Sequence, residues 1–372
     1  MKLTISRETL LDQLNHVVGA VEKKHTSKIL ENILIQASED KLTFVGTDLE
    51  IEVSTSLEIQ NEKIGQITAP AKKLFDICKA LPPECFVLLE TDETRLHIKG
   101  VRSRFELATL AADEFPLLDD IPINSEIKIN EKYFKQLMEK VSFSMANQDV
   151  RYYLNGLLLE FSRTKITAVS TDGHRLAISE HSFDSPNEKM ENDQTLKIIV
   201  PRKGILELTR ILDSSCDIPL FLQISDNHIR INKDNIRFTS KLIDGKYPDF
   251  QAAIPLNCKH NIELDREKFR DTLSRVAILS NEKFRGIRLR LTKGIMSLHS
   301  NNPENESAEE EIDINYTDEE FEIGFNVTYL LEAVNHLESS TVILELSSPD
   351  SSALLHEKDD NQTRYVVMPI RL

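Results

Sequence analysis

Three stretches of the chain open alike, with an apolar residue, a polar residue able to cap a helix, and then apolar residues at helical spacing. Ile5-Ser6, Ile129-Asn130 and Leu264-Asp265 begin them. Ser, Asn and Asp side chains there accept hydrogen bonds from the first free N–H groups of a helix. Counting four, eight and eleven residues from each cap gives Leu10, Leu14 and Val17, then Phe134, Met138 and Val141, then Phe269, Leu273 and Val276. Those offsets place the side chains on one helical face, so each stretch is predicted to be an amphipathic helix.

The segment after each helix also repeats. Ile33, Leu157 and Ile287 start apolar strands, and fifteen residues later come Asp48, Asp172 and Asn302, inside Thr-Asp, Thr-Asp and Asn-Asn pairs that read as turns. The residues between alternate as strands do, for example Lys41-Leu42-Thr43-Phe44-Val45. A second helix then opens at Pro70, Pro201 and Asn326. Leu74, Ile205 and Leu330 lie four residues on, and Leu81, Leu212 and Leu337 eleven on. Short strands come next, ending near Phe115-Pro116, Tyr247-Pro248 and Met368-Pro369. The pattern predicts three similar α+β domains near 1–124, 125–254 and 260–372, with 255–259 as a linker. Short turns between most strands call for antiparallel sheets, with the two helices of each domain on one side.

Composition narrows the function. At 372 residues the chain can build two to three cores, and 40% hydrophobic with 28% charged residues is a globular balance. No run approaches the ~20 apolar residues of a membrane helix, and no apolar stretch comes after Lys2 as in a secretory signal. Cys78, Cys85, Cys216 and Cys258 form no C-x-x-C pair, which fits a reducing cytoplasmic compartment. Only 11 glycines and no phosphate-binding glycine motif argue against a nucleotide-hydrolysing or dinucleotide-binding enzyme. Ser170, Asp172 and His174 lie too close together for a nucleophilic relay and are read as a structural turn. Asp119-Asp120 and Glu309-Glu310-Glu311 read as solvated acidic loops, and no zinc-ligand spacing occurs, so neither metal nor cofactor is expected.

The net charge of −16 argues against a conventional DNA-binding regulator, as does the lack of a basic recognition helix. Its distribution changes the picture. The six predicted helices together carry +4, leaving −20 for sheets and loops. That favours helices facing a polyanion and acidic sheets facing solvent. The helix-forming tendency of Lys and Arg is an equally simple source of the same bias.

Longer runs resemble a known family. Phe143-Ser144-Met145-Ala146, Gln148 to Gly156 (QDVRYYLNG), Ala168 to Ala177 (AVSTDGHRLA), Ile199 to Gly204 (IVPRKG), Ala277 to Gly286 (AILSNEKFRG) and Tyr365 to Leu372 (YVVMPIRL) closely resemble the bacterial DNA polymerase III beta subunit, the sliding clamp. The resemblance spans the whole chain. It implies a non-catalytic homodimer: two chains of three clamp domains form a ring around double-stranded DNA, helices lining the hole and sheets outside. A clamp loader would open it, and replicative polymerases and repair proteins would dock short apolar peptides in one groove. The implied groove residues are Leu154, Thr171, Gly173, His174, Arg175, Leu176, Pro248, Ser352, Val366, Met368, Pro369, Ile370, Arg371 and Leu372. Lys24, Gln148, Tyr152 and Tyr153 are the implied DNA contacts, and Phe105 and Leu107 the implied dimer contacts of Ile278 and Leu279. Family members often carry more Gly and Pro over the segment 22–28, and larger or basic residues where this chain has Gln251-Ala252-Ala253.

Overall fold

The computed structural model describes residues 1–22, 26–92, 94–118, 121–183, 186 and 195–371. Over the described residues the chain runs three times through one element order. The first pass holds β1 (Lys2–Ser6), α1 (Arg7–Val17), β2 (Asn32–Ala37), β3 (Lys41–Thr47), β4 (Ile51–Glu58), β5 (Gly65–Pro70), α2 (Ala71–Ala80), β6 (Phe86–Thr91), β7 (Arg95–Gly100) and β8 (Ser103–Ala108). The second holds β9 (Ser125–Asn130), α3 (Glu131–Val141), β10 (Gly156–Phe161), β11 (Lys165–Thr171), β12 (Arg175–Ser182), β13 (Leu196–Pro201), α4 (Arg202–Ile211), β14 (Pro219–Ile224), β15 (His228–Lys233) and β16 (Ile236–Lys241). The third holds β17 (His260–Asp265), α5 (Arg266–Val276), β18 (Gly286–Thr292), β19 (Ile295–Asn301), β20 (Ser307–Asp313), β21 (Phe321–Asn326), α6 (Val327–Asn335), β22 (Thr341–Leu346), β23 (Ala353–Glu357) and β24 (Thr363–Val367).

The helices start where their caps dictate. The Ser6 side chain accepts from Thr9 N, Asp265 from Lys268 N and Asn326 from Thr328 N. Asn130 Oδ1 accepts from Lys132 N at 3.0 Å. Pro70 and Pro201 are the last strand residues before their helices, and the missing proline N–H costs nothing at that point. The apolar faces read from the spacing are the buried ones: Leu10, Leu14 and Val17, then Phe134, Met138 and Val141, then Phe269, Leu273 and Val276.

Two compact units result, Met1–Lys132 with Lys203–Leu242, and Tyr133–Arg202 with Ile243–Leu372. All strand pairings among the described residues are antiparallel. The first unit has an eight-stranded sheet ordered β5-β2-β3-β4-β16-β15-β14-β9, and the second has one ordered β13-β10-β11-β12-β24-β23-β22-β17. Position for position, these are the same sheet. Each unit also has a four-stranded sheet, β1-β6-β7-β8 in the first and β20-β19-β18-β21 in the second. Set side by side as β21-β18-β19-β20 and β8-β7-β6-β1, the two reproduce the halves of the larger sheets, and β20 and β8 are edge strands.

Two expectations need correction. Glu309, Glu310 and Glu311 lie within β20, with Glu310 paired to Arg275 at 2.7 Å, so they belong to an edge strand and not to a loop. The third pass does not end in step with the others. Met368 N donates to His174 O at 2.9 Å, as Lys241 N donates to Glu50 O at 2.8 Å, so Met368 corresponds to Lys241 and not to Tyr247. The shared proline in Tyr247-Pro248 and Met368-Pro369 suggested the wrong alignment.

Candidate partner-binding cleft

In the second unit, strand β12 begins directly after the tight turn predicted at Thr171-Asp172. Thr171 Oγ1 donates to Arg175 O at 2.6 Å and accepts from Gly173 N at 3.0 Å. Asp172 Oδ1 accepts from His174 N and Arg175 N, at 2.9 and 3.1 Å. Gly173 has φ +89°, a left-handed conformation that glycine adopts without penalty. A Cβ built there would lie 2.8 Å from Arg151 Nη1, so the glycine also lets Arg151 close over the turn.

Arg151 grips Asp149 with two bonds, Nε to Oδ1 at 3.0 Å and Nη2 to Oδ2 at 2.8 Å, and donates to Asp172 O at 3.1 Å. This guanidinium holds the Asp149 carboxyl down at about 2. Arg175 is more enclosed. It donates to Asp172 Oδ2 at 3.1 Å and Phe143 O at 2.8 Å, and pairs with Glu332. Two arginines thus fix the turn from either side.

The turn, β12, β24 and the segment after Tyr247 enclose a cleft of about 200 Å³. Arg151, Tyr153, Leu154, Thr171, Gly173 and Arg175 form part of its lining, completed by Leu176, Pro248, Asp249, Phe250, Ala253, Val366 and Met368. Its floor comes from sheet register: Leu176 pairs with Val366 across β12 and β24, and both are buried. Met368 stands at the mouth, 38% exposed.

Eight of the expected groove residues therefore come together: Leu154, Thr171, Gly173, Arg175, Leu176, Pro248, Val366 and Met368. His174 contributes its carbonyl to Met368 N, while its ring stacks toward Tyr329 at 6.4 Å. Ser352 and Pro369 are half-buried outside this lining, and Ile370 and Arg371 line a different cleft with Phe284 and Asn302. Leu372 lies outside the described residues. The sequence reading missed Arg151, Asp249 and Phe250. The signal for Arg151 was its place three residues before Leu154.

Of the expected DNA contacts, Tyr153 lines the cleft and Tyr152, 58% exposed, meets it edge-on at 5.8 Å. Gln148 is exposed at φ +57°, and Lys24 lies outside the described residues. At the expected dimer surfaces, Phe105 is half-buried, Leu107 buried, Ile278 74% exposed and Leu279 half-buried. The Ser170 hydroxyl is buried and donates to Val141 O, so it does not face His174 as a nucleophile would. Among the described residues no helix is long and apolar enough to cross a membrane, and no cluster of metal-ligating side chains occurs.

The architecture is thus a threefold antiparallel repeat that carries an apolar cleft between adjoining strands. Family models for the N-terminal, central and C-terminal domains of the DNA polymerase III beta subunit match residues 1–119, 128–249 and 251–371. The chain is 45% identical to the beta sliding clamp of Pseudomonas putida and 41% to that of Escherichia coli K12, covering all of both chains. The solved sliding clamp of Pseudomonas aeruginosa bound to griselimycin superposes with TM-score 0.93 at 43% identity, and that of Bartonella birtlesii with 0.94 at 33%, each over the full length of both chains. The chain belongs to the DNA polymerase III beta subunit family, the beta sliding clamps. Its α+β fold of repeated clamp domains and its non-catalytic role as a processivity factor in DNA replication come with that membership.

Proposed function

We propose that two copies of this chain close head to tail into a ring around double-stranded DNA, joined by β8 of one copy and β20 of the other. One observation carries the reading. Phe238 on β16 and Tyr365 on β24 occupy the same position in their sheets, each opposite β4 or β12, and each is only 1% exposed. Phe105 is their counterpart on β8, and it remains half-buried because no strand lies beside it among the described residues of the single chain. An unpaired edge with an apolar side chain needs a partner.

Carrying the β4–β16 register onto β20 and β8 sets Phe105 opposite Ala308 of the second copy and Arg104 opposite Glu309. Opposite charges facing across strands are favourable. The neighbouring contact transfers too. Phe143, just past α3, meets Tyr365 edge-on at 5.2 Å. Ile278 holds the Phe143 position after α5, so Ile278 and Leu279 of one copy reach Phe105 and Leu107 of the other.

In this reading residues 1–124, 125–254 and 260–372 are the three clamp domains and 255–259 the linker. Helices line the hole, and DNA is held regardless of sequence, with Lys24, Gln148, Tyr152 and Tyr153 as contacts. The Leu176–Val366 cleft takes short apolar peptides of polymerases, repair proteins and the clamp loader, with His174, Ser352, Pro369, Ile370, Arg371 and Leu372 around it. The compartment is the cytoplasm. Retention on nicked circular DNA after loading tests the ring. The protein should stay until the circle is linearised and then run off; equal retention on linear DNA contradicts the topology.

A further inference from the structure

Because the two large sheets share one order, each strand residue of the cleft in the second unit has a counterpart in the first. The scaffold matches closely. Thr47 Oγ1 donates to Ile51 O at 2.7 Å, and Asp48 Oδ1 accepts from Glu50 N and Ile51 N, repeating the Thr171-Asp172 turn. Leu34, Val45 and Phe115 pack together as Leu158, Val169 and Tyr247 do. The floor differs. Where Leu176 pairs with Val366, the first unit pairs Glu52 with Thr239, and Lys241 replaces Met368. Leu49, at φ +75°, takes the place of Gly173.

We infer that the first unit carries a second groove built on the same plan, and that Glu52 keeps it shut to apolar peptides, so each chain takes up one. The inference rests on the peptide-binding reading of the Leu176–Val366 cleft. Glu52 is 9% exposed, and one carboxylate oxygen accepts from Leu118 N at 2.9 Å. The chain's own segment at Leu117-Leu118 is thereby tied across the groove. Thr239 is fully buried and accepts from Arg230 Nε at 3.3 Å. An incoming leucine would have to displace the Leu118 N–H and strip the carboxylate of its remaining contacts, supplying none in return. Leaving a buried charge without partners costs more than the apolar side chain gains. The acceptor needed to hold the chain's own strap is thus the group that repels a foreign one.

The test is a stoichiometry. A short fluorescent peptide carrying leucine and phenylalanine side chains is titrated into the full-length protein, into Glu52→Gln, and into Glu52→Leu with Thr239→Val. Parent and Glu52→Gln should take one peptide per chain, and the double variant two, the second site within about tenfold of the first in affinity. A double variant that melts like the parent and still takes one peptide overturns the inference. Removing Met368 to Leu372 from the double variant separates the two readings. It should then bind one peptide, at the new site, even if the parent protein binds none and the cleft in the second unit is misassigned. Amide exchange at Leu118 in the unaltered protein supplies a check that needs no variant to fold. Saturating peptide should leave that exchange unchanged, and added protection there would mean the groove was never shut.

Discussion

The Arg175 guanidinium lies 4.6 Å from the centroid of the Tyr329 ring, and the Phe143 ring is 5.3 Å from the same group. Held between two rings and three oxygen acceptors, the side chain braces the turn that forms one wall of the cleft. Lysine keeps the charge but loses the planar fork. Losing charge-assisted bonds worth about 1.5–3 kcal/mol predicts peptide binding weakened roughly 10- to 100-fold in Arg175→Lys. Calorimetry would read this, with the dimer intact by light scattering. Unchanged affinity would mean that Arg175 braces only the fold.

Leu49 and Gly173 invite opposite exchanges. A non-glycine residue in the left-handed region costs about 1–2 kcal/mol, while glycine costs about 0.5–1 kcal/mol through its freer unfolded chain. Leu49→Gly should therefore leave stability equal or slightly raised, by up to about 1 kcal/mol. Gly173→Ala should lower it by up to about 1.5 kcal/mol on the same terms, and more through the Cβ that meets Arg151 at 2.8 Å, and weaken peptide binding by displacing Arg151. Urea melts of both variants give the comparison, and a stabilised Gly173→Ala would contradict it.

Replacing Ile278 and Leu279 together by Ala should produce monomers. Ile278 is 74% exposed in the single chain, so its truncation costs the folded protomer little. Buried across the proposed junction, each would contribute about 2–5 kcal/mol. Light scattering at micromolar concentration decides. A variant that remains dimeric moves the junction elsewhere.

Deleting Met368 to Leu372 removes the mouth of the cleft and the Met368 N–H bond to His174, but leaves Val366 on the floor. A short peptide gains about 1.5–3 kcal/mol from each apolar side chain buried. Loss of one such contact predicts at least a tenfold fall in affinity. Dimerisation, which depends on other strands, should not change. Full peptide affinity in the truncated chain would place the site elsewhere.

Glu52 predicts a pH dependence. Burial pushes its carboxyl above the usual 4.5, and the Leu118 N–H bond offsets part of that rise. The folded state then holds this proton more tightly than the unfolded chain does. Its contribution to stability is fully present below about 4.5 and is lost as pH rises through the folded value. Glutamine keeps the acceptor and drops the charge, so Glu52→Gln should melt higher than the parent near pH 7 and level with it near pH 4. A gap of the same size at both would show that ionisation of Glu52 is not the cause.

Much of this was legible because it is periodic. The caps Ser6, Asn130 and Asp265, with their apolar faces, located three helices to within a residue or two. The cleft was legible only through resemblance, since its members come from segments far apart in the chain and share no spacing. Glu52 shows the limit most plainly. Its alternation with Ile51 and Val53 places it on the face away from the core, where a carboxylate belongs. It is buried because a segment more than sixty residues later folds over it. Aligning Glu52 with Leu176 would have flagged the exchange, but only once the sheet orders were known. The acidic run in β20 misled for a related reason. Charges on a protected edge strand have the same composition as a loop.

The strands β8 and β20 are unlike surfaces, and pairing between unlike surfaces carries no number at which it must stop. In the proposed assembly each added copy offers the same free edge as the last. Whether such growth ends in a closed pair or an open filament depends on the rotation each chain builds between its own two edges. Within each unit the seams β4–β16 and β12–β24, where Phe238 and Tyr365 are buried, set part of that rotation through the twist of the large sheet. A variant that alters the twist at either seam could dimerise as tightly as before and yet assemble into fibres.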